Sequence, residues 1–157
     1  MTLQIKPAPV RRQVTVKATP ERAFDVFARD FSRWWPKDKS TSASPQKAAV
    51  LEPRQGGRWY EIGEDDSQSD WGEVLAWEPP SRLVLAWRLG PDFKFNPDLL
   101  TEVEVRFIAE GEGHTRVELE HRLLENWGDQ AEQTRGMVDS PNGWLGIMAS
   151  YVMAVDS

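Results

Sequence analysis

The chain has 157 residues, 39% hydrophobic and 28% charged, which points to one globular domain spanning residues 1–157 and argues against disorder. Acidic residues outnumber basic ones by 25 to 19, for a net charge of −6. No Lys/Arg cluster is longer than Arg11-Arg12, so nucleic acid is not expected as a partner.

With no cysteine there is neither a disulfide framework nor a thiolate metal site. No apolar run approaches the ~20 residues a membrane helix needs. Residues 1–10 lack the apolar stretch of a signal peptide. An intracellular, cytoplasmic protein without membrane attachment is therefore expected. Eight residues are tryptophan, at 34, 35, 59, 71, 77, 87, 127 and 144. Trp is bulky and its N–H wants a partner. Several of them on successive strands would suit a cavity wall, the plainer reading being core filler.

Residues 10–17 alternate, with Val10, Arg12, Val14 and Val16 on one face, as a half-buried strand does. Thr19-Pro20 then caps and opens a helix carrying Ala23, Phe24, Val26 and Phe27. A second short helix is expected over 31–35, stopped by Pro36, followed by a polar loop over 37–46. Strands are expected over 48–52, 58–62, 70–78, 82–88, 99–109 and 115–122, separated by Gly, Pro and acidic turns, including an acidic hairpin loop over 63–70. A short helix or turn over 126–136 follows. Ser140-Pro141 then starts a long helix to Val155 with Trp144, Ile147, Met148, Tyr151, Val152 and Val155 at helical spacing. Gly143 and Gly146 lie within it, which points to a close approach of the backbone to the sheet or to a ligand.

This order predicts an α+β fold: a curved antiparallel sheet of six or seven strands covered by the C-terminal helix. The space between sheet and helix is where a pocket would lie.

Several stretches together carry a family resemblance. They are Ala18-Thr19-Pro20-Glu21-Arg22-Ala23-Phe24, Gly56-Gly57-Arg58-Trp59, the run from Trp71-Gly72-Glu73 to Ser81-Arg82-Leu83, Thr101-Glu102-Val103-Glu104-Val105, Glu118-Leu119-Glu120-His121 and Asn142-Gly143-Trp144. In this order the chain resembles the START-like, Bet v 1-like (SRPBCC) superfamily. More narrowly, it is similar to the bacterial branch related to activators of the heat-shock chaperone ATPase (AHSA). The resemblance covers about residues 10–155 and implies the helix-grip fold. It does not imply one reaction, since superfamily members bind lipids, sterols, polyketides and hormones and some catalyse cyclisation or dehydration.

Candidate ligand-binding residues are Trp59, Trp71, Trp87, His121, Trp144 and Met148. His121 shares an inward strand face with Thr115, Val117 and Leu119. It is read either as a proton-transferring or ligand-bonding group or as a core histidine satisfied by a backbone carbonyl. Trp144 and Met148, one helical turn apart, point the same way. Trp87 shares a face with Leu83 and Leu85, while Trp71, Glu73, Leu75 and Trp77 share another. Which of Trp59 and Trp71 faces the cavity depends on the register. Glu61 and Glu73 are placed on the solvent face.

No pair of His has metal-ligand spacing, and neither a phosphate loop nor a nucleophile elbow occurs. Neither cofactor nor metal is expected. The first functional expectation is a binding protein for a small hydrophobic or aromatic molecule, acting as a monomer or weak homodimer. The alternatives are a cyclase or dehydratase using His121, and a chaperone ATPase co-regulator, the last resting on the family name alone.

Overall fold

The computed structural model describes residues 6–157. Seven strands form one antiparallel sheet in the order β1-β7-β6-β5-β4-β3-β2. They are β1 (Val10–Val16), β2 (Gln46–Leu51), β3 (Arg58–Gly63), β4 (Gln68–Glu78), β5 (Arg82–Trp87), β6 (Thr101–Ala109) and β7 (Thr115–Arg122). The two short helices after β1 are α1 (Pro20–Ala28) and α2 (Phe31–Trp34). A tight helical turn (Leu124–Gln130), α3 (Ala131–Val138) and α4 (Gly146–Asp156) complete the chain. This is the helix-grip arrangement expected, with the sheet curled around the C-terminal helix.

Local chemistry fixes the helices. Thr19 Oγ1 accepts from the Arg22 amide at 3.3 Å, and Pro20 occupies the first helical position. Ala23, Phe24, Val26 and Phe27 then form the buried face of α1. Tyr151 of α4 donates its hydroxyl to the Ala23 carbonyl at 2.7 Å, and the Trp34 indole donates to the Val26 carbonyl at 2.9 Å. These bonds lock α1, α2 and α4 into one layer over the concave face.

The C-terminal helix differs from expectation. The backbone over Pro141–Leu145 is a wide, irregular turn with Gly143 out of helical geometry (φ −101°, ψ −136°), and regular helix begins only at Gly146. A Cβ on Gly143 would lie 2.2 Å from the Val138 carbonyl oxygen, and one on Gly146 would lie 2.4 Å from that of Pro141. The close approach expected at these glycines, to the sheet or a ligand, is instead to the backbone of Val138 and Pro141 just before α4. Trp144 sits in the turn, not one helical turn below Met148 on a shared face. The short helix or turn expected over 126–136 is two pieces, broken at Gly128 with φ +68°.

Two bulges reset the phase of β4. The pairing of β4 shifts beside Trp71 against β3 and beside Leu75 against β5. Trp71 and Gly72 are consequently both buried, followed by Val74. Trp77 packs on Phe24 of α1 with ring centroids 5.0 Å apart. Glu73 turns the other way, to an ion pair with Arg88 at 2.6 Å. The four-residue face Trp71, Glu73, Leu75 and Trp77 is thus not continuous, because each extra residue reverses the facing of the side chains after it.

Gly72 pairs with both Trp59 and Trp87, and a Cβ there would lie 1.7 Å from the Ala86 carbonyl oxygen. Gly72→Ala must displace the β4–β5 ladder and is expected to cost more than about 2 kcal/mol, lowering the melting temperature by roughly 5 °C or more. Gly136→Ala, in α3 with nothing within 4 Å of the added methyl, should instead leave it unchanged or raise it. Thermal unfolding of both variants checks the pair.

Candidate functional site

Five tryptophans close a ring at one end of the sheet. Centroid distances run 5.4 Å from Trp35 to Trp71, 5.5 Å to Trp59, 5.7 Å to Trp87, 5.6 Å to Trp144 and 6.1 Å back to Trp35. Most of these contacts are edge-to-face or tilted, the geometries aromatic quadrupoles prefer. Phe31 stacks on Trp35 at 4.9 Å and backs the ring from α2.

His121, fully buried on β7, ties this ring together. Trp144 Nε1 can only donate, and it reaches His121 Nδ1 at 3.1 Å. The Nδ1 atom therefore accepts, and the proton resides on Nε2. That proton points to Thr101 Oγ1 at 2.8 Å, and the Thr101 hydroxyl passes its own to the Trp87 carbonyl at 2.9 Å. Both ring nitrogens and the Thr101 hydroxyl proton are thereby engaged. Burial holds the imidazole down to a pKa of about 3, so at neutral pH it is uncharged. The sequence expected a carbonyl partner for a core histidine; the partners are a hydroxyl and an indole.

Glu61 corrects the sequence reading. It is fully buried on the inward face of β3 rather than solvent-facing. Its Oε1 accepts from the Thr41 amide, the Thr41 hydroxyl and Trp71 Nε1, the last at 3.2 Å, while Ser40 Oγ lies 2.9 Å from Oε2. A buried carboxylate must be hydrogen-bonded to persist. Here its partners pin residues 40–41 of the loop before β2 against the indole of Trp71.

Between that loop, the ring and the turn before α4 lies a cavity of about 510 Å³. Trp35, Trp71, Trp87 and Trp144 form its aromatic wall, and Leu89, Phe93, Met137, Val138 and Ile147 add apolar surface. Lys39, Ser40, Thr41, Gln133, Ser140 and Asn142 supply the polar rim. Of the six sequence candidates, Trp71, Trp87 and Trp144 line this space. Trp59 lies behind Trp71 and Trp87, His121 behind Trp87 and Trp144, and Met148 in the core. Trp71 is thus the one of the Trp59/Trp71 pair that reaches the cavity. Sequence reasoning missed Trp35, Lys39 and the α3 contribution, all outside periodic strands. Among the described residues no group of three His, Asp or Glu is arranged to hold a metal ion, and no helix is long and apolar enough to cross a membrane.

Residues 17–152 match the protein family described as Activator of Hsp90 ATPase homolog 1-like protein. Among solved structures, the chain is similar to an anthrahydroquino-γ-pyrone synthase, Txn09, at 34% identity. That match covers 96% of this chain and 98% of the other, with a TM-score of 0.66. It is similar at 33% identity to the self-sacrificing resistance protein CalC from Micromonospora echinospora, covering 94% of each chain with a TM-score of 0.71. An Hsp90 activator from Plasmodium falciparum is 20% identical over 74% of this chain and 73% of that one, with a TM-score of 0.50. No functionally curated protein matches.

The buried imidazole makes stability pH-dependent. Its folded pKa of about 3 lies below the ordinary value near 6.5, so between those values the unfolded chain binds the proton that the folded one refuses. Stability is then fully present above pH 6.5 and falls by about 1.4 kcal/mol per unit on the way to pH 3. Urea unfolding of the wild type against His121→Gln should show this slope in the difference between the two. Parallel pH profiles would refute it.

Proposed function

Since the chain belongs to the Activator of Hsp90 ATPase homolog 1-like family, whose fold serves more than one activity, we propose that it binds a small aromatic molecule in the tryptophan-walled cavity. The observation that carries this reading is the space itself: about 510 Å³ with four indoles in its wall. That volume is typical of small-molecule sites, which are mostly apolar with a few polar groups for orientation. Micromolar affinity requires about 8 kcal/mol. Each well-placed ring contact adds roughly 0.5–1.5 kcal/mol beyond area burial, so two or three contacts and the buried surface suffice.

A second reading is a synthase-type reaction on a cavity-bound substrate. It has support from the synthase at 34% identity. It does not have His121, whose two ring nitrogens are engaged behind the wall. The titratable groups nearer the space are Lys39 at the rim and Glu61 beneath Thr41. Similarity to the chaperone activator, at 20% identity, extends to the fold alone.

Trp35→Leu tests the binding reading: it strands no acceptor, because the Trp35 indole N–H has none, and circular dichroism checks that the fold survives the lost packing against Phe31 and Trp71. Intrinsic fluorescence titrated with aromatic, fatty and polyketide-like compounds should show saturable quenching by aromatic ones, weakened about tenfold or more in the variant. No quenching by any class, or identical titrations in a folded variant, would refute the assignment.

A further inference from the structure

Among the cavity-lining residues, Lys39 is the one that carries a charge. It is half-buried on the loop that Glu61 pins, and its ammonium donates across the mouth to the Asn142 carbonyl of the turn before α4. That neutral contact uses one of three donors. Many cations of the chain are held by carboxylates, whereas Lys37 and Arg22, like Lys39, donate to backbone carbonyls. Arg82 and Arg122 lie 2.6 and 3.0 Å from Glu104, and Lys47 lies 3.1 Å from Asp66. Lys39 forms no ion pair among the described residues, and the cavity lining contains no Asp or Glu. Glu61, under the same loop, spends its oxygens on Ser40, Thr41 and Trp71.

The site therefore offers aromatic faces and one cation with donors to spare, and its lining holds no carboxylate. A neutral hydrocarbon would leave the ammonium to a carbonyl and solvent. A ligand bearing an anionic oxygen would complete it, because charge-assisted hydrogen bonds are stronger than neutral ones.

We propose that Lys39 is the anion-recognition residue of this cavity, and that its ligand is an aromatic acid: a ring system seated among Trp35, Trp71, Trp87 and Trp144 with a carboxylate-like oxygen on the Lys39 ammonium. This rests on the binding function proposed above and narrows its ligand class.

A matched pair of probes separates the two claims. Anthraquinone-2-carboxylate and anthraquinone-2-carboxamide share the ring and differ in charge. Isothermal titration calorimetry with the wild type, Lys39→Met and Lys39→Arg is expected to show the acid binding about tenfold tighter than the amide. That preference should vanish in Lys39→Met and survive in Lys39→Arg. Equal binding of acid and amide to the wild type would overturn the role of Lys39 and leave the aromatic cavity standing. So would an equal loss for both probes in Lys39→Met, which would show that Lys39 merely holds the mouth to Asn142. Binding of neither probe to the wild type would remove both claims.

Discussion

The imidazole of His121 sits where no water can reach it, so both of its nitrogens have to find partners inside the protein. One is the indole of Trp144, from a turn more than twenty residues further along the chain. The other is the Thr101 hydroxyl, which continues to the Trp87 carbonyl. A single neutral side chain therefore joins β5, β6, β7 and the turn before α4. Because Trp144 can only donate, the tautomer and the direction of every bond are set by it. The irregular backbone at Pro141–Leu145 is understandable in these terms. A regular helix through Gly143 would carry Trp144 along a different path, whereas the observed turn presents its N–H to Nδ1 and one of its faces to the cavity.

Sheet parity explains why part of the site was legible and part was not. His121 alternates with Thr115, Val117 and Leu119, and this strand keeps its phase throughout, all four being buried. Trp59 and Glu61 stand two apart on β3, and both point inward. An inward Trp59 therefore required an inward Glu61, and placing the carboxylate in solvent contradicted the same periodicity that made the tryptophan a candidate. Glu73 escaped that logic because the bulge beside Trp71 lies upstream of it. Residue chemistry alone could not distinguish the two glutamates; the backbone did. The segments bearing Trp35, Lys39 and Met137 lie outside the strands or on a weakly amphipathic helix, and sequence pattern has little to say where the period is lost.

The two sides of the cavity are held by different chemistry, and the difference matters for binding. On one side, the His121 chain and the packed indoles fix Trp87 and Trp144. On the other, the Glu61 carboxylate gathers the Thr41 amide, two hydroxyls and the Trp71 indole, converting a serine-rich loop into a defined edge. Buried polar groups of this kind are costly unless fully partnered, and once partnered they restrict the alternatives open to the chain. Both sides are therefore ordered before any ligand arrives.

That preorganisation bears on how much of the contact energy becomes affinity. Association loses free energy to immobilised side chains, roughly 0.5–1.5 kcal/mol for each flexible one. Indoles packed against one another at 5.4–6.1 Å have already lost that freedom on folding, so stacking against them costs little further entropy. Lys39 is the contrast: a long, half-exposed side chain whose ordering is offset only if it gains a stronger partner than the Asn142 carbonyl. The rigid wall would supply affinity for flat apolar surface in general, while the flexible cation would discriminate among the molecules that offer it.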